Sequence, residues 1–303
     1  MADKGITHSI QARLLAHAKR EDADPNVVLA RYGIERLLYR LSVSPHRGRF
    51  VLKGALLLLV WFGDEIRPTR DADLLGFGEL SDEALAAVFR EVCAVQCDSD
   101  GMAFQHGSVQ VSAIRENDQY GGQRVTLLGL LGGVRIRVQV DVGIGDAVTP
   151  APRRIEYPCL LGLPAPKLRA YRPETSIAEK FHAMVVLGGA NSRMKDFFDI
   201  YVLASRLEFD GEGLAAAIRD TFGRRKTEIP AEPPLALTPS FGEDERKRAQ
   251  WQSFVRKNRL SGVPDDLLQV VHGLAVFLWP PLQALQSRAR FAGNWKPGGP
   301  WVS

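Results

Sequence analysis

Residues 53–75, KGALLLLVWFGDEIRPTRDADLL, contain the two features around which the predicted fold is organised. An apolar strand at 50–52 leads into a glycine turn at Gly54, and a compact apolar segment follows. A polar turn then leads to Asp71 and Asp73, which open a second predicted strand. Because side chains alternate across a strand, the two aspartates point to the same side and lie close together.

This pair of carboxylates, next to a glycine turn, points to phosphate chemistry. Two carboxylates held so close repel each other unless a cation lies between them. Mg²⁺ is the usual hard cation for such oxygen ligands. A glycine turn at the start of a helix leaves backbone N–H groups able to bind a phosphate chain. The combination indicates phosphoryl or nucleotidyl transfer.

Composition limits the class of protein. The 303 residues are 45% hydrophobic and 24% charged, which is ordinary for a globular chain of one large domain or two smaller ones. The N-terminal segment has no secretory signal, and the longest apolar run, 55–62, is too short for a bilayer. We therefore expect a cytoplasmic protein without a membrane partner. Three cysteines favour neither a disulfide framework nor a zinc site.

The net charge of +4 is weak support for an anionic partner by itself. Beside a phosphate-handling site, a basic surface would attract nucleotide or RNA.

Hydrophobic periodicity predicts the elements around the first two strands. Apolar residues at helical spacing predict helices at 6–20, 26–42 and 54–62, and Ser81 fits the N-cap of another helix. Alternating residues between glycine turns predict three further strands, at 108–116, 123–130 and 133–142.

Asp141 comes at the end of the last of these strands. Alternation places it on one face with three polar residues and places four apolar residues on the other, namely Arg135, Arg137 and Gln139 against Val134, Ile136, Val138 and Val140. An aspartate at this position is either a third metal ligand or a turn residue, since Gly143 and Gly145 follow.

A proline-rich link between 150 and 166 divides the chain into predicted domains 1–150 and 151–303. In the second, Ser176-Ile-Ala-Glu179 fits a capping box that opens a helix to about residue 187, with Lys180 beside its apolar stripe. Further helices are predicted at 211–223, 243–258 and 264–278, the last broken by Pro280-Pro281, and the tail after residue 293 is expected to fray.

A helix that begins at Arg193 carries Lys195, Asp196 and Asp199 on one face. That charged face is either a solvated surface with internal ion pairs or part of a site.

Four segments in the first 205 residues together resemble the AbiEii/AbiGii toxin family of nucleotidyltransferases, within the DNA polymerase β-like superfamily. They are Lys53-Gly54 with Arg67-x-Thr69-x-Asp71-x-Asp73, Val140-Asp141-Val142-Gly143-Ile144-Gly145, residues 175–183 around Ala178-Glu179-Lys180, and Arg193-x-Lys195-Asp196-Phe197-Phe198-Asp199. Each segment is weakly specific by itself, whereas all four in this order are fairly specific.

The resemblance implies an α+β fold. A polymerase β-like nucleotidyltransferase domain, with a mixed sheet and flanking helices, would be followed by a mainly helical C-terminal domain that completes the active-site cleft. Asp71 and Asp73 would hold Mg²⁺ against the triphosphate, and Asp141 would complete the metal cluster. Lys53, Gly54 and Ala55 would form the phosphate turn, although the superfamily usually has Gly-Ser or Gly-Gly there.

The third and fourth segments would place charged side chains at the active site. By resemblance, Lys180 with Arg193 and Lys195 would balance the triphosphate, and Asp196 would orient Lys195 or assist the incoming hydroxyl.

The function implied is that of a toxin in a toxin–antitoxin pair. It would transfer a nucleoside monophosphate from an NTP to RNA, at the 3′ acceptor end of tRNA, and so inhibit translation. Its partners would be a cognate antitoxin, NTP and tRNA. Three alternatives stay open: nucleotidylation of a protein, a metal-dependent nuclease, and a binding protein without catalysis.

Overall fold

The computed structural model describes residues 4–63, 67–114 and 121–302. The chain forms two compact units: unit 1 comprises Met1–Gly145 and Arg153–Ala170, and unit 2 comprises Asp146–Pro152 and Tyr171–Ser303. The sequence placed the boundary at residue 150, whereas here residues 153–170 return to unit 1 and extend its sheet.

Unit 1 is built on a seven-stranded mixed sheet in the order β3-β4-β5-β2-β1-β7-β6. The pairs β2–β5 and β1–β7 are parallel and the others are antiparallel. The strands are β1 Phe50–Lys53, β2 Asp71–Gly76, β3 Met102–Ile114, β4 Gly122–Leu131, β5 Val134–Ile144, β6 Arg153–Glu156 and β7 Lys167–Ala170. The predicted mixed sheet is confirmed, and β6 and β7 were not predicted.

Four helices flank this sheet: α1 Lys4–Arg20, α2 Pro25–Val43, α3 Leu56–Phe62 and α4 Asp82–Ala94. Two of these helices, α2 and α4, begin with a side-chain N-cap. The Asp24 side chain accepts from the N–H of Asn26 at the start of α2, and Ser81 accepts from the N–H of Ala84 at the start of α4. The predicted N-cap at Ser81 is therefore confirmed.

The part of the sheet formed by β3, β4 and β5 has one covered face and one open face. On β5, Ile136 and Val138 are buried on the covered face, while Arg135 and Arg137 are exposed on the open face. Helix α2 lies against the covered face, because a Cβ at Gly33 would come within 2.8 Å of Ile136 Cγ2. Burying each such Val or Ile side chain contributes about 1.5–3 kcal/mol. The apolar alternation of β5 thus fixes which face stays open.

Unit 2 is mainly helical, as predicted. Its helices are α5 Pro173–Leu187, α6 Met194–Arg206, α7 Gly211–Arg224, α8 Pro239–Glu243, α9 Glu245–Lys257 and α10 Leu267–Gln286. A small antiparallel sheet pairs β8 Phe209–Asp210, β9 Asn294–Trp295 and β10 Trp301–Val302. Short 3₁₀ turns at Gly188–Ala190 and Leu235–Leu237 connect the helices.

Helix α10 has the length and apolar composition of a membrane span. The central helix of a globular unit has the same composition, and eight of its residues are buried here: Leu267, Val270, Val271, Leu274, Phe277, Leu278, Pro281 and Leu282.

The start of α5 differs from the prediction. The helix begins at Pro173, so Ser176 lies buried inside it and the predicted capping box is wrong. Proline is favoured at the first helical position because it has no N–H to leave unpaired and its φ is already helical.

The end of the chain also differs from the prediction. Helix α10 runs through Pro280 and Pro281 to Gln286, although proline removes an intrahelical donor. The carbonyl of Phe277, four residues before Pro281, instead accepts a hydrogen bond from Trp301 Nε1 at 3.0 Å. The tail that supplies this donor is therefore ordered, and the Trp301 ring stacks on Phe277 with the centroids 5.7 Å apart.

Replacing Trp301 with phenylalanine is expected to lower the free energy of unfolding by about 1 kcal/mol, because the Phe277 carbonyl loses its donor. Urea unfolding measures the change. In a Pro281→Ala background the restored helical N–H can bond that carbonyl, so the same substitution should cost less. An equal loss in both backgrounds would show that Trp301 stabilises the protein only through its ring.

Candidate active site

A row of four charged residues crosses the sheet of unit 1. Lys53 on β1 is the register partner of Asp73 on β2, and Asp73 is the partner of Asp141 on β5. Asp141 is in turn the partner of Arg124 on β4. Partners in adjacent strands lie on the same face, about 5 Å apart. The row therefore sets two carboxylates side by side, with one cation at each end.

Asp71 adds a third carboxylate to the same face. It lies two residues before Asp73 on β2, and its register partner on β5 is Gln139. Asp71, Asp73 and Asp141 are all half-buried, whereas Ala72, which points to the other side, is fully buried. The structure thus brings together the three predicted metal ligands, and their role in binding metal stays a prediction.

The glycine turn passes directly beneath one of these carboxylates. Gly54 has φ +74°, and a Cβ built on it would lie within 2.6 Å of Asp73 Cγ. Only glycine allows this backbone conformation and this contact together. Ala55 follows as the N-cap residue of α3 and makes no side-chain hydrogen bond to cap it. Its methyl group leaves the first backbone N–H groups of α3 without a hydroxyl cap.

Gly54→Ala is expected to lower the free energy of unfolding by about 1–3 kcal/mol through backbone strain. It should also reduce activity at least about tenfold, because the new methyl group displaces the Asp73 carboxylate. A tenfold loss corresponds to a rise of ~1.4 kcal/mol in the activation barrier.

Gly63 supplies the matched control, since it has φ +76° and a Cβ there meets no atom within 4 Å. Gly63→Ala should therefore cost similar stability and keep its activity. Equal activity loss in both variants, measured alongside thermal unfolding, would contradict the proposed contact.

Arg124 holds Asp141 with two parallel hydrogen bonds. Its Nε donates to Asp141 Oδ1 at 2.9 Å and its Nη2 donates to Oδ2 at 2.8 Å. Bidentate pairs of this kind are strong and fix the orientation of the carboxylate. A metal ion at Asp141 would have to compete with this arginine.

The donor set fits a divalent cation at Asp71 and Asp73 better than at all three aspartates. Both residues offer hard oxygen ligands on one solvent-accessible face, over a turn that a Cβ would block. Within the ranges that the structure describes, no three His, Cys, Asp or Glu side chains are arranged as a complete metal site. Asp141 could join the pair only with a carboxylate lone pair that Arg124 does not use.

Unit 2 contains a second charged cluster, between α5 and α6. Lys180 Nζ lies 2.9 Å from Asp196 Oδ1 and 2.7 Å from Asp199 Oδ2. Arg193 Nε lies 2.7 Å from Asp196 Oδ2. Both aspartates are fully buried, so the interpretation of this helix face as a solvated surface is wrong.

The neighbouring cations Lys180 and Arg193 keep Asp196 ionised. Burial by itself would raise the pKa of this carboxyl, but Lys180 and Arg193 outweigh burial and hold the pKa below its ordinary value. Asp196 is therefore ionised at neutral pH and fixes the position of Lys180.

Lys195 takes no part in the cluster that the sequence assigned to it. Its side chain is exposed, and Asp196 bonds Lys180 and Arg193 instead. The predicted roles of Lys180, Arg193 and Lys195 toward a triphosphate stay predictions.

Glu179, next to Lys180 in the same motif, belongs to a different network in unit 2. Its carboxylate accepts from Tyr171 Oη at 2.9 Å and lies 4.0 Å from Arg225 Nη2, which also pairs with Asp146 at 2.9 Å. Burial first, and then Arg225, lowers the pKa of the adjacent His182 to about 4, so this histidine is neutral. The motif therefore combines a glutamate that lies beside Arg225, the partner of Asp146, with a lysine held by α6.

Sequence reasoning missed Arg124. The signal was available, because counting outward from the predicted hairpin turn at Gly132-Gly133 pairs Leu131 with Val134 and Arg124 with Asp141. The contact between Lys180 and Asp199 had no comparable signal, since its partners lie on two helices.

Comparison with known proteins identifies the family of the chain. The family described as nucleotidyl transferase AbiEii toxin, type IV TA system, matches residues 36–272. A comparison with curated proteins found no match.

Two solved structures from Helicobacter pylori are similar to this chain. JHP933 has 16% identity and a TM-score of 0.47 over 84% of this chain and 90% of its own. A second, provisionally described as a nucleotidyltransferase, has 17% identity and a TM-score of 0.48 over 84% of this chain and 94% of its own.

Proposed function

The chain belongs to the AbiEii family of nucleotidyltransferase toxins in type IV toxin–antitoxin systems, and from this membership we propose that it transfers a nucleoside monophosphate from an NTP to the 3′ acceptor end of tRNA. The observation that supports the chemistry is the pair Asp71 and Asp73 on one face of β2, with Gly54 beneath the Asp73 carboxylate. We propose that the modified tRNA can no longer be aminoacylated, so translation stops. Because NTP and tRNA are its substrates, we propose the cytoplasm as its place of action.

The residues of unit 1 have different roles in the proposed reaction. Asp71 and Asp73 would hold Mg²⁺, which when bound stabilises charge on the attacking and leaving oxygens of an in-line displacement. Gly54 allows the backbone to approach the phosphates, and Lys53 at the end of the charged row adds positive charge beside them. Arg124 pairs with the Asp141 carboxylate and so reduces, without removing, its repulsion of Asp73.

The acceptor is tested by incubating the purified protein with α-labelled NTPs, Mg²⁺ and either total tRNA or a protein extract. We expect labelled tRNA that has become longer, together with released pyrophosphate, and no label with an Asp73→Asn variant. Label confined to protein would overturn the RNA acceptor. Shortened RNA without incorporated label would indicate a nuclease.

Membership of a type IV system also implies a cognate antitoxin. Expression of the chain alone is expected to arrest growth, and co-expression of the gene product encoded beside it is expected to restore growth. Arrest that persists in the Asp73→Asn variant would separate toxicity from nucleotidyl transfer and contradict the proposal.

A further inference from the structure

The open face of β3, β4 and β5 has a polarised charge distribution. These three strands contain one acidic residue, Asp141, at one end of β5. Arg135 and Arg137 lie on the same face toward the other end, with Gln139 between them and Asp141. At about 3.3 Å per residue, Arg137 lies ~13 Å and Arg135 ~20 Å along the strand from Asp141.

The two arginines are available to a partner. Both side chains are exposed, and neither forms an ion pair with any residue in the described parts of the chain. Their register partners on β4 are uncharged: Arg137 lies opposite Leu128 and Arg135 lies opposite Leu130. Two cations spaced about 7 Å apart therefore stand on a neutral, half-exposed surface.

Neighbouring strands keep this surface free of negative charge. On β3, the register places five uncharged residues on the open face, namely Ala103, Gln105, Gln110, Ser112 and Ile114, and all but the half-buried Ile114 are exposed. The opposite face of the sheet is covered by α2. A polyanion is thus attracted to one end of the open face and reaches carboxylates suited to a divalent cation at the other.

We propose that Arg135 and Arg137 bind backbone phosphates of the acceptor RNA strand and direct its 3′ end along β5 toward the charged row. This inference rests on the proposed RNA acceptor and adds the path by which the acceptor approaches. Contacts of this kind position a nucleic acid without reading its sequence. Arginine is suited to the task because its planar fork matches phosphate geometry.

The test compares Arg135→Gln/Arg137→Gln with a control that removes the same charge elsewhere in unit 1. Arg47 and Arg90 are exposed and likewise make no ion pair with a described residue, so Arg47→Gln/Arg90→Gln is the matched control. The probe is unmodified tRNA, with its dissociation constant measured by fluorescence anisotropy across a salt series. Steady-state kinetics give KM for tRNA and for NTP separately.

The expected result is at least about a tenfold weaker affinity for tRNA, with KM for NTP unchanged. Each phosphate contact to a single strand contributes about 0.7 to the slope of log K against log salt, so the slope should fall by about 1.4. Arg135→Lys/Arg137→Lys should restore most of the slope, since lysine keeps the charge. The control variant should behave like the wild type.

Wild-type affinity and slope in the double glutamine variant would overturn the inference while leaving the proposed function intact. Failure of the wild type itself to bind and label tRNA would instead remove the proposed function. Unchanged tRNA affinity together with lost inhibition by the antitoxin would also overturn the inference, since the surface would then bind protein.

Discussion

Replacing Asp73 with asparagine is expected to lower the rate of nucleotidyl transfer by a factor of about 10³, which corresponds to ~4 kcal/mol of lost transition-state stabilisation. Asparagine keeps the shape of the side chain, so it still fits above Gly54. It loses the negative charge that holds a divalent cation. The expected defect is therefore in the chemical step and not in folding.

The free energy of unfolding of the Asp73→Asn variant should not fall, although its activity does. Asp73 and Asp141 are register partners on adjacent strands, and like charges directly opposite each other destabilise a sheet. Removing the Asp73 charge relieves this repulsion, and the attraction to Lys53 on β1 that is lost at the same time offsets part of the gain. The free energy of unfolding should therefore stay equal or rise. Stability gained at the expense of activity is the usual signature of a functional group held under strain.

Glu83→Gln is the control. Glu83 is an exposed acidic residue on α4 in the same unit, and its replacement by glutamine removes the same charge. Single-turnover rates with labelled NTP and tRNA measure the effect, and urea unfolding measures stability. A variant at Asp73 that loses stability and activity together would indicate a structural carboxylate and not a metal ligand.

The sheet around this site could be largely predicted from sequence. Alternation of apolar residues located β5 and placed Asp141 on the open face, and the pair Asp71 and Asp73 followed from the same period. These strands were readable because a buried face imposes a strict apolar pattern. The short strands β6 and β7 were missed since each has four residues and they lie within and directly after the proline-rich link, where pairing depends on the finished sheet.

Contacts between distant elements could not be predicted in this way. The helical spacing of Asp196 and Asp199 was readable, but spacing within one helix does not reveal whether another helix covers it. Lys180 on α5 covers these carboxylates, and the cluster became buried. Similarly, the two prolines of α10 predicted that the helix would break there. Trp301 from the tail instead donates a hydrogen bond to the Phe277 carbonyl, which has no helical donor.

Replacing Lys180 with methionine is expected to lower the free energy of unfolding by about 3–5 kcal/mol at neutral pH. Lys180 bonds both Asp196 and Asp199, and removing it leaves two buried carboxylates, of which Asp196 still pairs with Arg193. Breaking one partner of a buried ion pair costs this much because the remaining charge stays desolvated. Methionine preserves the apolar stem, so loss of packing contributes little.

The pH dependence distinguishes this cause from a packing defect. In the wild type the pKa of Asp196 is held below its ordinary value of 3.8, so its contribution to stability is present above pH 3.8 and is lost as the pH falls through the lower folded pKa. Without Lys180, burial still raises the pKa of Asp196 and only Arg193 remains to lower it, so this pKa should rise from its wild-type position. The deficit of the variant is then full at neutral pH and should shrink as the pH falls through the raised pKa.

Lys195→Met is the control, since Lys195 is an exposed lysine on α6 and the same charge is removed. Its free energy of unfolding should stay within about 0.5 kcal/mol of the wild type. A second variant, Lys180→Met with Asp199→Asn, should recover part of the loss, because Asp196 keeps Arg193 while the other buried charge is gone. A pH-independent deficit in Lys180→Met, or none at all, would mean that the two carboxylates do not depend on this lysine. In that case the position of Lys180 is set by the packing of α5 against α6 alone.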